Sequence, residues 1–225
     1  IATLKTHIGE IEDGLTRTVC WSAVWDMLRD AELSATDFLD IVMRGLPGED
    51  DITTVTTLGN QLYSAIENYS HPSKRDAKRV EVAAFIEKLM SQAAPGSDLQ
   101  LQFARIFVMI ANSQEQTVRI RELLDGKLEG LLVDVDLRWT FIKFLAEQNA
   151  ITIEEIDAEL ARDNTFSGNL SHKAALAEIP TIENKQAVWN EVLGDELATE
   201  VRKAKIMGFG SYRQRELLEV FVDKY

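Results

Sequence analysis

The chain has 225 residues, with 37 acidic and 24 basic side chains and a net charge of −13. That balance disfavours nucleic acid and anionic membrane surfaces, both of which attract basic proteins. Hydrophobic residues make up 45% of the chain and are spread along it, enough for a sizeable core, while 4 prolines and 12 glycines suit long helices better than sheets. Cys20 is the single cysteine, so no internal disulfide can form; inside an apolar segment it reads as a buried, inert thiol and fits a reducing, cytoplasmic setting. No signal peptide is expected from the sequence, and no apolar run is long enough to span a bilayer. The first residue is Ile1 rather than Met, which suggests a piece of a longer protein.

The first predicted helix spans 14–32. It is apolar over most of its circumference (Leu15, Val19, Val24, Leu28, Trp21, Trp25), with a narrow polar stripe of Thr18, Ser22, Asp26 and Arg29. Asp26 and Arg29 are spaced to pair along it. The plain reading is a core helix with one wet edge. The functional reading is a stripe facing a cavity shared with another domain. Arg17 lies one turn from both Trp21 and Asp13 and is expected to stack on the indole and pair with the acid.

Ser34-x-x-Asp37 opens a helix over 35–45, stopped by Gly45-Leu46-Pro47-Gly48, and a longer one follows over 50–69 up to His71-Pro72. The helix over 74–93 starts with Lys74, Arg75, Lys78 and Arg79, cations at the unfavourable end of the macrodipole. They read as a solvated face, with anion or peptide contact as the alternative. Ser97-x-x-Gln100 and Ser113-x-x-Gln116 open helices over 98–112 and 114–125. Gly126–Gly130 is a candidate boundary, yet too short and apolar for a flexible linker, so residues 1–225 read as one array.

Over 135–149, Arg138 falls on the apolar side near Val135, Phe141 and Ile142, where a guanidinium needs a partner. Asp134, at i−4 and at the helix N-cap, is the structural candidate; the functional alternative is a fork offered to a carboxylate of a peptide or another domain. Thr152-x-x-Glu155 opens 153–162, and further helices are predicted over 169–178, 182–193, 195–207 and 211–224. The stripes Val82, Phe85, Ile86, Leu89 and Leu99, Phe103, Phe107, Ile110 keep the 3.6 period, and no segment alternates with period two. The fold class is therefore all-α. Antiparallel helix pairs at about 40 residues per pair match a HEAT/armadillo-like superhelical array, and a compact bundle is the alternative.

Catalytic chemistry is missing from the motifs. His7, His71 and His172 are scattered as surface histidines and form no H-E-x-x-H. Asp134-x-Asp136 lacks the glycine and terminal glutamate of a calcium loop, and Gly208-Phe209-Gly210 is a turn after a helix. No catalytic or metal-binding residue is assigned.

One ordered set of residues carries more. It runs Arg17, Trp21, Trp25-Asp26-Met27, Arg29-Asp30-Ala31-Glu32-Leu33, Asp37-Phe38-Leu39 and Glu49. It continues with Gly130-Leu131, Asp134, Leu137-Arg138-Trp139 and Asp163, then Pro180, Lys185 and Trp189. This order resembles the C-terminal helical domain, of the endoplasmic-reticulum-aminopeptidase type, of aminopeptidase N zinc metallopeptidases, most closely the actinobacterial ones. The resemblance covers nearly the whole chain, but its motifs are helix-core patterns. It implies a non-catalytic domain of an enzyme that removes N-terminal residues from peptides. Zinc would sit in a separate catalytic domain, and this domain would close the active-site chamber and help admit peptides. Its partners would be the catalytic and N-terminal domains of the same polypeptide and peptide substrates, with no nucleic acid or membrane. Arg138, Arg29, Asp26, Arg17 and Asp134 are the candidate peptide or interdomain contacts. The alternative is a free-standing helical scaffold or adaptor that binds partner proteins.

Overall fold

A computed structural model of the chain describes residues 2–224. Every regular element among the described residues is helical. The chain forms two compact units: one holds the residues up to Gln116 together with Leu128–Leu132, the other Thr117–Lys127 and the residues from Val133 onward. The candidate boundary at Gly126–Gly130 falls inside the stretch where the chain passes between them.

The first unit contains α1 (Ala2–His7), α2 (Gly14–Arg29), α3 (Ala35–Gly45), α4 (Ile52–Ser64), α5 (Arg75–Gln92) and α6 (Asp98–Ile110). The next helix, α7 (Gln114–Leu124), starts there and runs into the second unit. A π-helical turn, Ala65–Tyr69, prolongs α4. Short turns fold α5 against α6, and α6 also packs on α4. Phe38, Leu58, Leu62, Ile86 and Phe107 are fully buried between these helices, and each such side chain contributes about 1.5–3 kcal/mol relative to exposure. Gly59 lets α4 approach α6: a Cβ there would lie 2.6 Å from Ile106 Cδ1.

The second unit contains α8 (Val135–Glu147), α9 (Ile153–Arg162), α10 (Phe166–Glu178), α11 (Ile182–Leu193), α12 (Thr199–Phe209) and the short α13 (Arg215–Leu218). Helix α10 is central, packing on α8, α9 and α12. The α10–α12 crossing depends on Gly208, where a Cβ would stand 2.2 Å from the Ala174 carbonyl oxygen.

Starts and stops follow local chemistry. Ser34, Ser97 and Thr152 accept from backbone N–H groups as N-caps. Thr152 with Glu155 and Ser113 with Gln116 form reciprocal boxes. Asp13, Asp51, Thr165 and Thr181 cap helices in the same way. Four expectations are corrected. The first helix ends at Arg29, because Ala31 takes the left-handed conformation (φ 60°). Leu15 and Val19 of that helix are exposed and Cys20 is half-buried, so it is not apolar core all round. The segment 211–224 is not one helix: it breaks into Tyr212–Gln214, α13 and Glu219–Lys224. Residues 2–10 are also helical, although no helix was expected there.

Candidate peptide-contact site

Arg17, Arg79 and Arg138 each find a buried carboxylate within the fold. In the first unit Arg17 donates from Nε to Glu49 Oε1 at 2.9 Å and from Nη1 to the carbonyls of Ile11 and Glu12 at 2.7 and 3.2 Å. Trp21 Nε1 donates to the same Glu49 oxygen at 2.7 Å. Glu49, just before α4, thus ties both residues of α2. Its hydrogen bond raises the Arg17 pKa further, so the guanidinium is permanently charged. The expected Arg17–Asp13 pair is replaced: Asp13 caps α2 through Thr16, and Glu49 is the better-buried acceptor. Arg79 behaves similarly. Far from a solvated face, it is 4% exposed and donates from Nε to Glu67 Oε1 at 2.6 Å. Asp26 and Arg29 form the expected pair at 3.4 Å on the exposed side of α2.

In the second unit Arg138 donates to both oxygens of Glu159, at 2.7 and 2.6 Å, and to the Leu124 carbonyl at 3.4 Å. The expected Asp134–Arg138 pair is corrected: Asp134 accepts from Leu137 N at 2.8 Å as N-cap. Its carboxylate therefore faces the helix start, while the Arg138 stem runs toward α9. Glu159 is 5% exposed and lies one turn after the buried Ile156. That position on an apolar helix face was the available signal for it. Next to this pair, Trp139 Nε1 donates to Asp163 Oδ2 at 2.8 Å. This bond, then that of Thr165, holds the Asp163 carboxyl below the ordinary range. His172 is buried and bonded to Asp157 at 2.7 Å, not a surface histidine.

Arg138 and Glu159 form one wall of a cleft of about 440 Å³ that is also lined by Arg121, Asp125, Glu155, Ile142 and Arg162. Arg121 is bonded to Glu155 at 2.8 Å. Arg162 is different: its side chain is 66% exposed, and its Nε lies 3.9 Å from Glu159 Oε2. Of the cleft cations it has the most freedom to meet an incoming carboxylate, and sequence reading did not single it out. Of the expected contacts, the cleft gathers Arg138 alone. Asp134 caps α8, and Arg17, Asp26 and Arg29 belong to the first unit.

Among the described residues no group of three or more His, Cys, Asp or Glu is placed to hold a metal ion. No described helix is long and apolar enough to cross a membrane.

Residues 1–225 match the family model for the ERAP1-like C-terminal domain. The chain belongs to that family. It is 38% identical over 228 residues to Aminopeptidase N of Streptomyces lividans, an alignment that covers 100% of this chain and 27% of that protein. The domain thus spans about a quarter of the length of that relative.

Proposed function

We propose that this domain is the non-catalytic C-terminal part of a zinc aminopeptidase, where it closes the active-site chamber and helps admit and position peptides. The observation that carries the reading is the 38% identity to Aminopeptidase N across the entire domain. The geometry supports a binding role. The cleft by Arg138 offers the exposed Arg162 guanidinium beside an apolar wall, suited to a peptide carboxylate or acidic side chain. Zinc chemistry belongs to the remainder of the longer polypeptide, which is also the domain's principal partner. A free-standing adaptor receives no comparable support.

The test is made in the full-length polypeptide. Arg162→Ala should raise KM for long peptides severalfold, while turnover of small aminoacyl chromogenic substrates stays unchanged. Arg29→Ala, on the other unit, serves as a second probe of the same kind. Equal kinetics for long and short substrates in both variants would remove the positioning role.

A further inference from the structure

The ends of α8 and α10 hold the C-terminal turns through a buried polar cluster separate from the cleft. Glu147, the last residue of α8, is buried. Its carboxylate accepts from Ser211 Oγ and, at 2.9 Å, from Arg213 Nη1. Gln214 Nε2 donates to the Glu147 carbonyl at 3.3 Å and to the Glu178 carbonyl at 2.7 Å. Residues 211–214 are thereby clasped onto two helix ends.

The clasp is short of donors. Both amide hydrogens of Gln214 are used, and its Oε1 is buried without a partner; Glu178 Oε2 is buried without a partner as well. Four charged groups face Glu178: Glu147 and Lys143 from α8, Lys185 from α11 and Arg213 from the clasp. Arg213 is engaged with Glu147. Lys185, fully buried, donates to the carbonyls of Ala177, Gly208 and Phe209 at 2.7, 3.2 and 3.2 Å. Arg213 and Lys185 are thus committed elsewhere, and Lys143, half-buried on α8, makes no ion pair with Glu178, whose Oε2 has no partner. An ionised Glu178 would add an acceptor where donors are lacking and a second negative charge near Glu147. A protonated one brings a donor instead.

We propose that Glu178 is the trigger of a proton-held clasp: as the neutral acid it lets residues 211–214 stay seated, and on ionising it releases the C-terminal turns. Burial, and next the neighbouring Glu147, push the carboxyl up to about 8, so closure weakens progressively from the ordinary carboxylate range up to that value and levels off above it. The sign follows from linkage. An acid whose pKa is higher in the closed state favours closure when protonated, and closure weakens as pH rises toward the closed-state value.

The experiment is hydrogen–deuterium exchange on the 225-residue chain between pH 6.5 and 9, with each segment normalised to unstructured peptides at the same pH. Protection of residues 211–224 is expected to fall about tenfold between pH 7 and 9, while α8 and α10 keep theirs. Glu178→Gln, neutral at every pH, should hold the segment protected throughout. Unchanged wild-type protection across this range overturns the proposal, as does a loss spread over the whole chain. A Glu178→Gln variant that opens with the wild-type pH profile also overturns it. If that variant does not fold, the wild-type profile alone decides.

Discussion

Removing Arg138 tests the reading of the cleft wall most directly. Arg138→Ala deletes bonds of 2.7 and 2.6 Å and leaves Glu159, only 5% exposed, with its charge uncompensated. Breaking an enclosed ion pair from one side costs about 3–5 kcal/mol. Here the Arg138 side chain is 19% exposed on the cleft, and Arg162 stands 3.9 Å from the same carboxylate. Water and Arg162 therefore recover part of the loss, and the expected destabilisation is about 2–3 kcal/mol. For a chain of this size that lowers the thermal midpoint by about 4–12 °C. The assay is far-UV circular dichroism melting of a double-mutant cycle with Glu159→Gln, run beside a second cycle with Asp134→Ala. Asp134→Ala should cost about 1 kcal/mol through the lost cap and add to Arg138→Ala without coupling. An unchanged midpoint in Arg138→Ala, or stronger coupling to Asp134 than to Glu159, would refute the assignment of partners.

Other outcomes are expected from the same contacts. Arg17→Ala strands the buried Glu49 and should cost about 2–4 kcal/mol by urea titration; Trp21→Phe, losing one bond to that acid, should cost about 1.5–3. Lys185→Met keeps most of the stem volume but leaves three carbonyls without their donor, so a loss of about 2–4 kcal/mol is expected, read from the melting midpoint. Gly208→Ala forces a methyl against the Ala174 carbonyl and should destabilise by about 1–3 kcal/mol or more; an unaffected melt would show that α12 can move away freely. On the acid side, the lowered Asp163 carboxyl contributes stability that is present above its unfolded value near 4 and is lost as pH falls through its folded value. Acid melts of Trp139→Phe should therefore fall off less steeply in that window than those of the wild type.

Much of the helical plan is legible in the sequence because caps and the 3.6 period are local. The spans 35–45, 153–162 and 182–193 coincide with α3, α9 and α11. What local reasoning misses is set by distant residues. Arg138 and Arg17 both announce a need for a partner, yet each has a near acid that is occupied as an N-cap. The true partners lie 21 and 32 positions away. The failure at 211–224 has a similar origin: Ser211, Arg213 and Gln214 are committed to Glu147 and Glu178, and the chain there follows those bonds instead of its own periodicity. The residues that carry the family resemblance (Arg17, Trp21, Glu49, Trp139, Asp163, Lys185) are buried polar ties that hold the fold. They mark kinship clearly but are silent on substrate choice, which is why exposed Arg162 escaped notice.

The indole bonds open a spectroscopic route into the molecule. Of the 4 tryptophans, Trp21 and Trp25 belong to the first unit and Trp139 and Trp189 to the second. Variants that retain one emitter, Trp21 beside Glu49 or Trp139 beside Asp163, would each report loss of a single indole–carboxylate bond. Coincident emission transitions would mean that the units melt as one cooperative body, and separated transitions would give each unit its own stability.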